Sequence, residues 1–180
     1  MELKLVFTIG HLLGVALGAG GAYLSDVMFF SSARDDKITY TEFRFLTIGS
    51  RMVWIGLATL FLSGLGLFLL DMETYLNSSK FLAKVTIVFF IFLNGLVFHF
   101  SHLERIKRHK GEHLPSSDEF MRKRPVLLAS GVTSFVSWTS ALILGAIPSL
   151  PYSYSLIMSA YFLIVGVAII TTLALFKYIQ

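Results

Sequence analysis

Five long apolar stretches, separated by short polar links, dominate the pattern of this chain. A helix that crosses a bilayer needs about 20 mostly apolar residues, and each stretch reaches that length. The sequence therefore predicts an all-α, polytopic membrane bundle of five transmembrane helices, forming a single transmembrane domain over residues 1–180. The spans are predicted at residues 3–30, 42–70, 79–103, 122–147 and 153–178.

Residues at the ends of these stretches carry helix start and stop signals. Thr39 followed by Glu42 predicts a capping box before span two, and Ser116 followed by Glu119 predicts another before span four. Pro125 falls in the first turns of span four, where proline costs little. These signals support the span boundaries independently of hydropathy.

The composition agrees with a membrane protein, because 55% of the residues are apolar and only 14% are charged. The net charge of +4 does not indicate a nucleic-acid partner, since the basic residues concentrate around the link between spans three and four. They are Arg105, Lys107, Arg108, Lys110, Arg122, Lys123 and Arg124. An excess of Lys and Arg marks the cytoplasmic side of a membrane. We therefore expect the N-terminus outside and the C-terminus in the cytoplasm, with the inner (plasma) membrane as the location and the lipid bilayer as a partner.

Several polar and ionisable side chains lie inside the predicted spans, where the cost of burial in hydrocarbon makes them functional candidates. Converting position into depth at about 1.5 Å per residue separates them into two layers. The outer layer holds His11 and Lys84, with Met158 at a comparable depth. The inner layer holds Asp26, Arg51, Asn94, His99 and His102.

The interpretations of these side chains differ. For His11 a functional role is favoured over a structural hydrogen bond. Lys84 lies near the end of its span, so snorkelling to the interface and a functional role have equal weight. Arg51 is deeper, and we expect it to pair with Asp26 or with an anionic group of a ligand.

Three imidazoles are candidate metal ligands, namely His11, His99 and His102, and the chain has no cysteine to supply thiolate ligands. His99 and His102 lie near the interface, where hydrogen bonding is slightly favoured over ligation. His11 and His99 lie at different depths, which does not suit one iron held by both. Met158, at the depth of His11, is the candidate second axial ligand.

Small residues recur every four positions in span one, at Gly10, Gly14 and Gly18. Such spacing favours close helix packing, and it also makes a homodimer possible. The alternative is that Gly14 and Gly18 leave room beside His11 for a planar ligand such as haem. Trp54 and Trp138 fall inside spans, where packing is favoured over stacking on a flat cofactor.

The first three spans carry a set of short motifs. These are His11 in span one, Asp35 and Asp36 in the next link, Glu42 opening span two, Arg51 with the following Met-Val-Trp-Ile-Gly-Leu-Ala-Thr-Leu, Ser63-Gly-Leu-Gly-Leu67, and Phe81-Leu-Ala-Lys84 opening span three. With these motifs the chain resembles the HemJ-type protoporphyrinogen oxidases and the CopD-like superfamily of small haem-binding membrane proteins. It differs from the four-span HemJ pattern in its fifth span, and Asn94 and Gly95 stand where a histidine is expected.

The resemblance implies a haem b held by His11, with Arg51 and Lys84 as essential polar residues in catalysis. It also implies oxidation of protoporphyrinogen IX, with electrons passed to a quinone or to a redox partner protein. We therefore expect a haem b-binding membrane oxidoreductase or electron-transfer protein. Two alternatives remain open, namely transport or binding of copper or another metal ion, and a proton-conducting or structural subunit of a membrane complex.

Overall fold

The computed structural model describes residues 2–32, 39–103 and 118–178, and these ranges contain helices and no strands. The helices are α1 (Glu2–Ser32), α2 (Tyr40–Leu70), α3 (Met72–Leu76), α4 (Ser79–Val97), α5 (Asp118–Ala146) and α6 (Tyr154–Tyr178). Within the described residues, all of them except the short α3 are long and apolar enough to cross a membrane. The predicted all-α fold with five membrane-compatible helices is therefore confirmed.

Two helix ends differ in detail from the prediction. The third span does not continue as one α-helix, because α4 passes into a π-helical segment at Phe98–Leu103. The wider turns of a π-helix shift the direction of the side chains that follow it. Pro125 lies inside α5 rather than in its first turn, since the helix already begins at Asp118. The apolar part of α5 begins at this proline.

The predicted capping box at the start of α2 is confirmed. The backbone N–H of Glu42 donates to Oγ1 of Thr39 at 3.2 Å, and the backbone N–H of Thr39 donates to Oε2 of Glu42 at 2.7 Å. These two hydrogen bonds satisfy backbone donors that a helix start otherwise leaves free. Ser116, which opens the second predicted box, lies outside the described residues.

The helices α1 and α2 pack antiparallel along a stripe of small residues on each. A Cβ atom placed on Gly14 would lie 2.9 Å from the backbone nitrogen of Leu60 and 3.1 Å from the carbonyl oxygen of Gly56. One placed on Gly21 would lie 2.7 Å from the carbonyl oxygen of Gly49. Backbones at this separation tolerate no side chain between them. The glycine stripe of α1 is thus buried within the chain and is not an exposed surface for a homodimer.

The other long helices form a second group, in which α5 packs against both α4 and α6 and also contacts α1. The buried core joins the two groups. It comprises Ala19, Ala22, Leu57, Leu60, Ala83, Ile87, Ile91, Trp138, Leu144, Met158 and Tyr161. Inside this core the hydroxyls of Ser137 and Tyr161 lie 2.9 Å apart and share a hydrogen bond. That bond links α5 to α6, and it gives each of the two buried hydroxyls a partner within the protein.

Lys80, near the start of α4, ties that helix to the end of α5. Its ammonium group donates to the carbonyl oxygens of Ile147 at 2.6 Å and Pro148 at 2.9 Å. These two residues follow the last residue of α5, where carbonyl groups lack partners within the helix and carry partial negative charge. Lys80 therefore acts as a cap supplied by a neighbouring helix.

Replacing Lys80 with alanine is expected to lower the free energy of unfolding by about 1–2 kcal/mol, because two charge-assisted hydrogen bonds are lost. Reversible unfolding in mixed micelles of mild detergent and sodium dodecyl sulfate measures the change. Lys4→Ala is the matched control, since Lys4 is exposed on α1. Equal stability of the two variants would contradict a capping role for Lys80.

Candidate functional site

His11 is held from α2 by a serine. Its Nδ1 lies 3.2 Å from Oγ of Ser63, and that hydroxyl donates to the carbonyl oxygen of Thr59 at 2.6 Å. A hydroxyl has a single hydrogen, so Ser63 accepts a hydrogen bond from the Nδ1–H of His11. The neutral imidazole then has its lone pair on Nε2, which is the nitrogen left available to a metal ion or a proton donor.

His11 has a glycine on one side of its imidazole and a lysine nearby on a neighbouring helix. A Cβ atom on Gly64 would lie 3.4 Å from Cε1 of His11, so this glycine keeps one edge of the imidazole uncrowded. Lys84 of α4 is close enough for its charge to interact with His11. Both side chains are partly exposed. The structure thus brings His11 and Lys84 together, as their predicted depths suggest.

The space that glycines were expected to leave beside His11 is filled by protein. Gly14 lies against the backbone of Leu60, and a Cβ atom on Gly18 would lie 3.0 Å from both Cζ2 and Cζ3 of the Trp138 indole. Gly14 and Gly18 are therefore helix-packing positions in this structure, rather than the walls of a cofactor pocket. Met158 is 5% exposed and belongs to the apolar core.

Arg51 lies apart from the His11–Ser63 pair. It is exposed on α2, and it precedes Ser63 by twelve residues, which is about 18 Å along a helix. The predicted ion pair with Asp26 is not formed. Asp26 instead receives a hydrogen bond from Ser134, and its Oδ2 has no hydrogen-bond partner among the described residues.

His99, in the π-helical segment, is also bonded to a serine of α2, at a different depth from His11. Its Nδ1 lies 3.3 Å from Oγ of Ser50, and its ring meets Trp54 edge to face at a centroid distance of 6.2 Å. Ser50 and Ser63 are thirteen residues apart on α2, or about 20 Å along the axis. His11 and His99 therefore belong to separate sites. The side chain of His102 lies outside the described residues.

A partly enclosed cavity of about 620 Å³, open space included, lies between α1, α2, α4 and α5. It occupies the half of the bundle that contains the end of α1 and the start of α2. Its polar lining residues are Ser25, Asp26, Ser50, Asn94, Ser130 and Ser134, and its larger apolar ones include Val53, Trp54, Ile91, Phe98, Leu127 and Trp138. His11 and Lys84 are not among the residues that line it.

The described part of the chain contains no group of three or more His, Asp or Glu side chains that could hold a metal ion. Each histidine with a described side chain, His11 and His99, is bonded to a single serine. A site built from several protein ligands is not seen among the described residues. This arrangement is compatible with a metal-containing cofactor that supplies most of its own ligands.

Sequence reasoning missed Ser130 and Ser134, the two serines of α5 that line the cavity. Ser130 and Ser134 are four residues apart on α5, so they lie on the same face of that helix. Ser134 reaches Asp26, while Oγ of Ser130 donates to Oδ1 of Asn94 at 2.9 Å. Small polar residues at a spacing of four inside an apolar span are the signal that could have pointed to them.

Comparisons of the chain with models of protein families, with curated proteins and with solved structures gave no match. The resemblance of the first three spans to HemJ-type and CopD-like proteins therefore stays a prediction. The architecture itself, with five described helices that are long and apolar enough to cross a membrane, indicates a multi-pass membrane protein.

Proposed function

We propose that this membrane protein binds haem b through His11 and acts as an oxidoreductase or electron-transfer protein. The observation that carries the proposal is the hydrogen bond between Nδ1 of His11 and Ser63, which leaves Nε2 as the available nitrogen. A metal-bound histidine usually donates its second ring N–H to a fixed acceptor, which sets the tautomer and the orientation of the ring. Ser63 supplies that acceptor.

The roles of the chain's own groups follow from their positions. His11 would hold the iron through Nε2, and Ser63 would orient the imidazole. Lys84, beside His11, would neutralise a propionate or an anionic porphyrin substrate. The bound haem would supply one-electron chemistry. Because Leu60 and Trp138 fill the face formed by Gly14 and Gly18, the porphyrin would lie outside that face.

The wider proposal follows the family resemblance. The chain would oxidise protoporphyrinogen IX or a related porphyrin, and it would pass electrons to a quinone or a protein partner. It would lie in the inner (plasma) membrane with its N-terminus outside and its C-terminus in the cytoplasm. Lys84 is the better candidate for a catalytic cation than Arg51, since Arg51 lies about 18 Å farther along α2 from the His11–Ser63 pair.

The alternatives have less support. Metal transport would use several protein ligands, and no such cluster occurs among the described residues.

A proton pathway would need polar groups that continue between the outer and the inner layer of polar residues. The α2 residues that face the core between Ser50 and Ser63 include Gly56, Leu57 and Leu60, which are buried and apolar. Proton flux in liposomes, and a search for a co-purifying dehydrogenase, test the role of a conducting or structural subunit.

An absorbance spectrum tests the proposal directly. Protein produced with ample haem is expected to show a Soret band, and the reduced protein is expected to show the α and β bands of haem b. The Soret band should disappear in His11→Ala and return when imidazole is added to that variant. Ser63→Ala should weaken haem affinity by about 10–100-fold through loss of the fixed acceptor.

The control is His99→Ala, which removes an equivalent imidazole–serine pair at the other depth. This variant should keep the Soret band. A folded protein that remains colourless when haem is titrated into it would contradict the proposal, and so would a Soret band that survives in His11→Ala.

A further inference from the structure

The cavity that contains Asp26 is separate from the His11 site and has no part in the function proposed above. It lies between four helices, and three serines, one asparagine and two indoles face it from α2, α4 and α5. Cavities with a mostly apolar lining and a few convergent polar groups are the usual places where small molecules bind.

Most polar side chains around the cavity have hydrogen-bond partners within the protein. The side-chain amide of Asn94 donates to the carbonyl oxygen of Ser130 at 3.1 Å and accepts from the hydroxyl of the same residue at 2.9 Å. Ser25 donates to the carbonyl oxygen of Gly21 at 2.8 Å. Ser50 is bonded to His99 at 3.3 Å. Each of these side chains therefore already has a hydrogen-bond partner within the protein.

Asp26 is the exception. Ser134 donates one hydrogen bond to its carboxyl group. Its Oδ2 is buried and, among the described residues, is the one buried side-chain oxygen or nitrogen without a partner. A carboxylate oxygen in a low-dielectric site is costly unless a positive group or a hydrogen-bond donor meets it. Among the lining residues, Asp26 therefore carries the carboxyl group that would gain most from a positively charged ligand.

The lining of the cavity favours an organic cation over an inorganic cation or an anion. Trp54 and Trp138 both face the cavity, and indole faces attract ammonium groups that lie within about 6 Å. An inorganic ion such as Ca²⁺ needs six or more oxygen ligands, and this cavity has one free carboxylate oxygen. An anion would meet the carboxylate and no basic side chain in the lining.

We propose that the Asp26 cavity binds the ammonium group of an organic cation, with the carboxyl group of Asp26 as its counter-ion and the indoles of Trp54 and Trp138 against its apolar body. The ammonium can come from a soluble amine or from the headgroup of a lipid, because both present the same chemistry to Asp26.

Tryptophan fluorescence measures binding at this site selectively, because the chain has two tryptophans and both line the cavity. Titration of the purified protein with benzyltrimethylammonium is expected to change the fluorescence in a saturable manner. Neopentylbenzene, a neutral molecule of the same shape, should bind at least about tenfold more weakly because it lacks the charge. Isothermal titration calorimetry with the same probes gives an independent affinity.

The charge of Asp26 is tested by Asp26→Asn, which keeps an oxygen to accept the hydrogen bond from Ser134. Its affinity for benzyltrimethylammonium should fall by about tenfold or more. Asp71→Asn is the matched control, since Asp71 is exposed at the junction between α2 and α3. Wild-type affinity in Asp26→Asn, or no saturable binding by the wild-type protein in either measurement, would overturn the proposal.

Two further measurements distinguish a lipid headgroup from a soluble amine as the ligand, and the Asp26 cavity from the His11 site. In nanodiscs of phosphatidylglycerol, adding phosphatidylethanolamine should weaken binding of the probe if the lipid headgroup occupies the cavity, and should leave it unchanged if a soluble amine does. His11→Ala should bind the probe with wild-type affinity, because His11 does not line the cavity. Loss of the Soret band and loss of cation binding are thus independent outcomes.

Discussion

Gly56→Ala is expected to lower the free energy of unfolding by about 3 kcal/mol. A Cβ atom at this position would lie 2.6 Å from Cα of Gly18 and 2.8 Å from the carbonyl oxygen of Gly14. Both neighbours are backbone atoms of α1, so no side-chain rotation relieves the clash. The helices would have to separate and lose the close packing that holds them in lipid.

Gly20→Ala is the matched control on α1. No atom lies within 4 Å of a Cβ placed on Gly20, so the methyl group enters open space. Alanine also favours the helix over glycine by up to about 1 kcal/mol. Reversible unfolding in mixed micelles compares the two variants. If Gly56→Ala is as stable as Gly20→Ala, the antiparallel packing of α1 on α2 is contradicted.

Gly18→Ala and Trp138→Ala are expected to be strongly coupled. Each alone should destabilise the protein, the first by overpacking against the indole and the second by about 3 kcal/mol through the loss of a buried ring. In the Trp138→Ala background, Gly18→Ala should be neutral or stabilising, because the indole atoms that lie 3.0 Å from the added Cβ are gone. A double-mutant cycle measures a coupling of at least about 1 kcal/mol.

A distant glycine provides the control for this cycle. Gly66 lies against the ring of Phe7, toward the other end of the α1–α2 pair. Gly66→Ala and Trp138→Ala should therefore be additive, as is usual for sites more than about 10 Å apart. Additivity of Gly18→Ala with Trp138→Ala would show that the indole does not occupy the face that Gly18 leaves open.

The same two positions show how far the sequence could predict the packing. The glycine repeat of α1 was visible, and close helix packing was its favoured interpretation. The partner stripe on α2, which includes Gly49 and Gly56, was not recognised, because a spacing of seven residues within a long apolar stretch has many equivalents. That the Trp138 indole lies over Gly18 depends on α5, which is remote in the sequence, and no local pattern predicts it.

The candidate sites divide in a similar way. Depth arguments correctly brought His11 near Lys84 and kept His11 apart from His99. They could not predict that serines of α2 hold both imidazoles, since serine is common in apolar spans and its hydroxyl often bonds to its own helix. The predicted pairing of Arg51 with Asp26 took into account the depth of the two residues but not the direction in which each side chain leaves its helix. In the structure Arg51 is exposed, whereas Asp26 faces the cavity.

The sequence by itself determined the five helices, their approximate ends and the capping box at Thr39. These features follow from local physics, because a long apolar segment in lipid must satisfy its backbone hydrogen bonds internally and therefore becomes a helix. Only the tertiary structure decided which faces meet, what fills the space beside Gly14 and Gly18, and that Asp26 lines a cavity. Lipid is as apolar as the helices, so hydropathy does not tell one helix which side of its neighbour to contact. That choice depends on the fit of small residues and on a few hydrogen bonds between helices.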